Sequence, residues 1–413
     1  MRKINSQVMK SYNALSILKL VRQNAPISRT ELVQRMGLTS ASVINITNEM
    51  LQSGLLAESG RTNEGGQGRK SLLLDVRPDA AYVIGVHLST ESIITAVSDL
   101  SGSLDGVTAR PLEGRSAQSI LDQIKSQLEQ SLARAGVDRS RILGVGLSLP
   151  GPLDIEKGIM INPPNFPGLA GTPIRALLES QLQLPVCCDR ETNNAVLAEF
   201  ESGCAAGYKT AFFISLFRTG VGGGVIANGN ILHGFCDSAG EIGHTTVDIA
   251  GPRCSCGSYG CLEALVSEQA LLGRVRKLQR MNGALQPREA DAGPQTLEEL
   301  FRLSQSGDEV CTHVVNEAAS YISIALGNAI NLYSPEIIVL GGTLPQLSPQ
   351  LVELIRRKIH ARTYPHQCGR ILVVPSSLGD RAFVRGAAAH AWERFLPGLL
   401  GADTAGVNAQ APL

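Results

Sequence analysis

The sequence predicts an α/β protein in which a small helical head precedes a two-lobed body. Three observations carry that expectation. The 413 residues exceed what one ordinary core organises, so two or three domains are expected. Apolar positions recur at helical spacing up to Gly54, whereas from Tyr82 short β-type runs alternate with amphipathic helices. The second half of the body then repeats the element order of the first. Hydrophobic residues make up 43% of the chain and aromatic residues 4%, the aliphatic bias of such a body.

Composition also excludes classes of function. There is no apolar run of the roughly 18 residues needed to span a membrane. The opening MRKINSQVMKSYNALSILKLV spreads polar residues through its length and reads as mature protein, not as a signal peptide. Nine cysteines in a chain of this size do not suggest a disulfide framework, so a reducing cytoplasm is inferred. Charge is balanced at 37 basic and 37 acidic residues, but unevenly placed. Residues 1–75 hold 10 Lys and Arg against 5 Asp and Glu, leaving 27 against 32 for the rest. A basic head on an acidic body points to a head that meets a polyanion.

In the head, Val8, Tyr12, Leu15, Leu18 and Val21 set a first helix with one apolar stripe. Ser28 can cap a second helix, with Glu31 at the capping-box position, and Gly37 ends it. Thr39 or Ser40 can cap a third, running to about Gln52 with Val43, Ile46, Met50 and Leu51 inward, and Gly54 stops it. This is a helix-turn-helix pattern, and small residues at the start of its last helix allow close approach to DNA. Ser40, Ser42 and Asn45 are the candidate groove contacts. Leu55–Glu58 and Ser71–Asp75 read as strands joined by a loop whose tip, GGQGRK, sets flexible glycines beside Arg69 and Lys70. That is the composition of a wing on phosphates or in a minor groove. A protein-interaction module of the same shape is the alternative.

Residues 76–80 are expected to be a hinge. Beyond it, strands are expected from Tyr82, from Ser92 and over Asp105–Pro111, with a helix over Ser116–Ala135 and a strand over Ile142–Leu149. Strand, strand, strand, helix, strand, helix is the order of an actin-like or sugar-kinase lobe. The second half repeats it with strands over Ala211–Leu216, Gly222–Ala227 and Asn230–Leu232, a long helical region over Ser267–Leu332, and a strand over Glu336–Leu340.

The segment Gly240–Glu263, GEIGHTTVDIAGPRCSCGSYGCLE, carries the densest chemistry. His244, Cys254, Cys256 and Cys261 offer one imidazole and three thiolates, a tetrahedral shell for structural zinc. Glycines at 251, 257 and 260 permit tight turns between them. Buried thiols and a core histidine are the alternative.

These residues together resemble the ROK (repressor, open reading frame, kinase) family, in its DNA-binding branch. The resemblance rests on the knot from Glu241 to Glu263, the Asn-Pro-Pro-Asn turn at 162–165, the glycine loop Thr219–Gly224, Gly341-Gly342, and Ser28-Arg29 through Gly54. It implies a winged helix-turn-helix over 1–75, with Arg29, Thr39, Ser40, Ser42, Asn45, Arg69 and Lys70 facing DNA. It further implies a first actin-like lobe over 81–190 with a C-terminal helix at about 381–398, a second lobe with the zinc loop and oligomer contacts over 191–380, and a flexible tail over 399–413. Asn165, Glu191, Glu241, His244 and Glu263 are the implied sugar contacts. The implied partners are operator DNA, a sugar or sugar phosphate effector, and further copies of the chain as a homodimer or dimer of dimers.

The chain departs from the family's kinases where phosphate chemistry is done. Their Asp-x-Gly-Gly-Thr turn is matched here by His87-Leu88-Ser89-Thr90, which lacks both the carboxylate near Mg²⁺ and the glycines. Their Asn-Asp-x-Asn motif, which holds the catalytic base, is matched by Arg190-Glu191-Thr192-Asn193. The glycine loop FRTGVGGGV is expected to serve the strand turn itself. A sugar-responsive regulator without catalysis is therefore expected, with an ATP-dependent sugar kinase bearing a DNA-binding head as the alternative.

Overall fold

The computed structural model describes residues 6–61, 72–281, 293–362 and 369–401. Contacts divide the chain into two compact units, Met1–Asp189 with Ala387–Leu413, and Arg190–Gly386.

The first unit opens with the head: α1 (Ser6–Asn24), β1 (Ile27–Ser28), α2 (Arg29–Met36), α3 (Ser40–Gln52), β2 (Leu56–Arg61) and β3 (Leu72–Val76). Capping sets the helix starts. The Ser28 hydroxyl accepts from the Glu31 amide at 3.2 Å while the Glu31 carboxylate accepts from the Ser28 amide at 3.0 Å, a complete capping box. Gly37 ends α2 at φ 63°, and the Thr39 hydroxyl caps α3 on the Ser42 amide. Ser28→Ala removes one arm of the box and is expected to cost about 1 kcal/mol, read as a lower unfolding midpoint with operator affinity unchanged. Strand β1 pairs with β3, Ile27 opposite Leu74, so the sheet order is β1-β3-β2. The sequence did not announce β1, because a two-residue strand that follows a proline and ends on the cap Ser28 shows no alternation. Tyr12, expected inside, is 59% exposed; Ile17 is buried instead, beside Leu18 and Val21.

Residues 76–80, expected as a hinge, hold the end of β3, Arg77 and a 3-10 turn over Pro78–Ala80. The head and the body of this unit share one apolar cluster, in which Leu18, Val21, Leu32 and Met50 join Val83, Leu100, Trp392 and Leu396. The Arg22 guanidinium lies 5.3 Å over the Trp392 ring, and the indole donates to the Ser98 hydroxyl at 3.1 Å. Shared burial replaces the hinge.

The body of this unit contains β4 (Tyr82–Leu88), β5 (Ser92–Asp99), β6 (Leu104–Pro111), α4 (Ala117–Ala135), β7 (Ile142–Leu149), the short pair β8 (Leu153–Asp154) and β9 (Ile159–Met160), α5 (Ile174–Leu182) and β10 (Val186–Arg190). Its sheet runs β10-β7-β4-β5-β6, with β4, β5 and β6 antiparallel and β4 parallel to β7. Strand β7 is buried nearly throughout and reads as the continuous apolar run expected of a covered strand.

The second unit contains α6 (Glu191–Ser202), β11 (Ala211–Leu216), β12 (Val221–Ala227), β13 (Asn230–Ile231), α7 (Leu262–Val266), α8 (Glu268–Met281), α9 (Leu297–Gln305), α10 (Glu309–Tyr333), β14 (Ile337–Gly341), α11 (Thr343–Leu347), α12 (Pro349–His360) and β15 (Leu372–Pro375). Its sheet order, β13-β12-β11-β14-β15, repeats the first: an antiparallel meander, then β11 parallel to β14 and β14 parallel to β15. The duplicated pattern read from the sequence is thus present in both units.

Helix α13 (Arg381–Leu399) is the C-terminal helix expected at about 381–398 as part of the first lobe. Its start, Ala382 and Phe383, packs with Phe213 and Val339 of the second unit, while Ala388, Ala391, Trp392 and Leu396 belong to the cluster under the head. The division between units falls inside this helix, at Gly386 and Ala387. Of the expected tail, Leu399 still lies in α13 and Leu400 packs on the same cluster, and 402–413 lie outside the described residues.

Candidate functional site

The sequence places the head's last helix where DNA recognition requires an exposed face. Val43, Ile46, Thr47 and Met50 of α3 are buried. On the opposite side Ser40, Ala41, Ile44, Asn45 and Asn48 are exposed, Ile44 at 43%. Ser40 and Asn45 therefore stand free as expected, whereas Thr39 and Ser42 are engaged with each other, their hydroxyls 2.8 Å apart in the cap. Arg29, expected to face DNA, is held within the head: Nε donates to the Thr47 hydroxyl at 2.9 Å and Nη2 to the Asn48 side-chain oxygen at 2.8 Å. It fixes α3 against the start of α2. Arg69 and Lys70 lie outside the described residues. The helical period that puts Val43, Ile46 and Met50 inward also places Ala41, Ile44 and Asn48 on that exposed face.

In the second unit the 240–263 segment folds into a knot. His244, Cys254, Cys256 and Cys261 bring their ligand atoms within 4.8 Å of one another. The imidazole Nδ1 lies 3.6 Å from the Cys254 sulfur, and the Cys256 and Cys261 sulfurs lie 3.7 Å apart. Metal bonds of about 2.3 Å to sulfur and 2.0 Å to nitrogen give tetrahedral edges of about 3.8 Å between sulfurs and about 3.5 Å between sulfur and nitrogen, so the set fits a four-coordinate ion. Burial, with the neighbouring Cys256 and Cys254, pushes the Cys261 thiol up to about 12, and a divalent cation would reverse that by stabilising the thiolates. The backbone is closed by bridges between Thr246 and Cys261 and between Arg253 and Tyr259. Gly260 is required there: it adopts φ 65°, and a Cβ on it would meet the Asp248 carbonyl at 1.6 Å.

Carboxylates flank the knot. The Glu263 carboxylate accepts from the Val221 amide at 3.1 Å and lies 3.4 Å from the Ser255 hydroxyl, so it ties the knot to the turn before β12. Glu241 is clamped by Arg190, whose Nη1 lies 2.5 Å from Oε1. That guanidinium also donates to the Ala239 carbonyl. Arg190 is 4% exposed, a buried charge matched by its partner. Glu191 follows at the N-terminus of α6, and burial pushes its carboxyl up to about 7. Near neutral pH it can therefore donate or accept a hydrogen bond. The structure brings Glu241 and Arg190 together, places Glu263 against the knot, and puts His244 within it. The Arg190 clamp was not legible in the sequence, since 51 residues separate the partners.

The glycine loop is explained by packing. A Cβ at Gly224 would lie 2.3 Å from the Thr192 carbonyl, and one at Gly222 would lie 2.7 Å from the Thr192 methyl. Helix α6 can reach β12 only over glycine.

In the first unit, Asn165 sits partly exposed in the turn that follows Pro163 and Pro164, and its carbonyl accepts from Arg115 Nη1 at 3.1 Å. At the turn after β4, the Ser89 hydroxyl accepts from the Ser92 amide at 3.0 Å, closing the turn on itself. Burial pushes His87 down to about 4, so its ring is neutral at pH 7 and supplies no anionic metal ligand.

Two compact units with the same sheet order, one carrying a winged helix and the other a knot of one histidine and three cysteines, define a DNA-binding protein built on sugar-kinase-type lobes. Residues 83–394 match the ROK family and residues 10–57 match a winged helix-turn-helix DNA-binding family. The chain belongs to the ROK family. It is 29% identical over 389 residues to a xylose repressor of Caldicellulosiruptor bescii, covering 93% of this chain and 96% of that one. Among solved structures, a ROK family transcriptional regulator described as a homologue of the E. coli MLC protein superposes with TM-score 0.79 at 26% identity, over 95% of this chain and 98% of that one. A ROK hexokinase from Thermus thermophilus superposes with TM-score 0.65 at 32% identity, over 76% of this chain and 98% of that one. Among the described residues, no helix is long and apolar enough to cross a membrane.

Proposed function

We propose that this chain is a sugar-responsive DNA-binding transcriptional regulator, a repressor of carbohydrate-utilisation genes released from its operator by a sugar or sugar derivative. The observation that carries this reading is the similarity to a xylose repressor along 93% of the chain, head included. The basic head, residues 1–75, meets operator DNA in the cytoplasm. Ser40 and Asn45 on the exposed face of α3 contact base edges, and Arg69 and Lys70 contact phosphates. Arg29 and Thr39, with Ser42, hold α3 in place for that contact. A single winged helix makes a small interface, so a homodimer or dimer of dimers on a pseudo-palindrome is the proposed assembly.

In the body, zinc held by His244, Cys254, Cys256 and Cys261 is the proposed structural metal. The His244 Nδ1 turned toward Cys254 leaves Nε2 for a ligand hydroxyl. Glu191, Glu241 and Glu263 are the proposed carboxylate contacts of the sugar, and Asn165 is proposed as a further one on the resemblance alone. To act as a switch, the sugar must bind the released state more tightly than the DNA-bound state.

A gel-shift titration with purified, metal-loaded protein tests the reading. One sugar among pentoses, hexoses and amino sugars is expected to release operator; indifference to all of them would sink the switch. The 32% identity to a hexokinase over the lobes favours a second reading, an ATP-dependent sugar kinase with a DNA-binding head. The neutral His87 and the self-closed Ser89 turn support the regulator instead. ADP release at ordinary enzyme rates, about 1 per second or more, would overturn that choice.

A further inference from the structure

We infer that Arg190 is the positioning residue that sets which sugar this site accepts, by holding Glu241 so that one carboxylate oxygen alone meets an uncharged hydroxyl of the ligand. The inference rests on the proposed role of Glu241 as a sugar contact. It starts from the placement of Arg190, the last residue of β10 and the one immediately before Glu191 on α6. A strand end followed at once by a helix gives its backbone little freedom, and the side chain is 4% exposed.

The guanidinium grips the segment ahead of the knot on both sides of one glycine. Nη1 takes Oε1 of Glu241 at 2.5 Å, and Nη2 takes the carbonyl of Ala239. Between them Gly240 adopts φ 87°, where a Cβ would meet the Gly223 carbonyl at 2.6 Å. The segment is thus pressed on β12 from one side and tied by Arg190 from the other. Glu241 in turn precedes the short 3-10 turn Ile242–His244, which delivers His244 to the cysteine cluster.

This clamp changes what Glu241 can recognise. A free carboxylate offers two oxygens and can take both members of a vicinal hydroxyl pair. With Oε1 committed, Oε2 remains for a ligand, on a side chain that is 39% exposed. One acceptor in a fixed place reads the configuration of one hydroxyl, whereas two acceptors on a mobile side chain tolerate epimers. Charge follows the same logic. The Arg190 cation is matched at 2.5 Å by Glu241, so an acidic sugar finds no unmatched cation there and faces the Glu241 carboxylate.

The test uses the full-length, metal-loaded protein and operator DNA. Arg190→Asn, Arg190→Lys, Glu241→Gln and the double variant Arg190→Asn/Glu241→Gln are titrated with a releasing sugar, its epimers, its deoxy analogues and its uronic acid. The readout is the ratio of half-release concentrations between the sugar and its epimers, with melting temperature measured alongside. Arg190→Asn is expected to change that ratio by about tenfold, Arg190→Lys to restore part of it, and the double variant to match the single ones within about twofold. If Arg190→Asn does not fold, Glu241→Gln reads the same ratio from the other partner. An unchanged ratio, whatever the melting temperature does, overturns the inference, as does release by the uronic acid at lower concentration than the parent sugar. Should the unaltered protein respond to no sugar, the proposed switch fails and the inference falls with it; a response with an unchanged ratio fails the inference alone.

Discussion

Stripping the metal with a chelator, or replacing Cys261 by serine, is expected to abolish sugar-induced release while leaving sugar-free operator binding nearly intact. The separation follows from where the groups lie. The four ligands belong to the second unit, whereas every residue that builds the head's core belongs to the first. Structural zinc contributes on the order of 10 kcal/mol of apparent binding free energy in small domains. A metal held by the proposed ligands would lend such energy to a knot whose backbone carries two isolated bridges and no long strand, so its removal would free His244 and the anchoring of Glu263 together. Cys261 is fully buried, and serine offers a poor ligand in its place. Metal content by atomic emission, gel shifts with and without sugar, and a melting curve check the result. Equal loss of both activities would mean that the metal supports the whole chain.

Ile44→Glu is expected to lower operator affinity about 100-fold, roughly 2.7 kcal/mol, without lowering the melting temperature. Ile44 is 43% exposed on α3, between Ala41 and Asn48, so no core contact is lost. If this face of α3 reads DNA as proposed, a carboxylate there adds repulsion from the phosphate backbone to the loss of an apolar contact. An affinity unchanged across a salt series would remove this face of α3 from the interface. The result would also distinguish a DNA-reading head from one that binds protein.

Much of this was legible in the chain because it is encoded locally. Capping signals at Ser28 and Thr39, the glycine at 37, the period-two runs from Tyr82 and the spacing of His244 with its three cysteines each determine structure within a few residues of themselves. What escaped is what depends on distant partners. Strand β1 exists because Leu74 pairs with Ile27, and nothing near Ile27 announces that. The Arg190 clamp ties Arg190 to Glu241 ahead of the knot, 51 residues away in sequence, and no local signal near either residue announces it. The supposed hinge failed for a related reason: Pro78 and Asp79 look like linker residues, but Trp392, far along the chain, supplies the surface on which the head is seated. Arg29 was expected to face DNA, and its commitment to Thr47 and Asn48 appears only when the helices are packed.

The shared cluster around Trp392 bears on how such a chain can be recombined. Cutting after β3 would leave Val83, Leu100, Trp392 and Leu396 without the helix-turn-helix residues that cover them. The remainder would present an oily scar, prone to self-association. Exchanging the reader of one such regulator for that of another is therefore a problem of matching two surfaces, α1 with its Arg22 on one side and the indole on the other, more than of splicing at a linker. Chimaeras that carry α13 along with its own head keep that match.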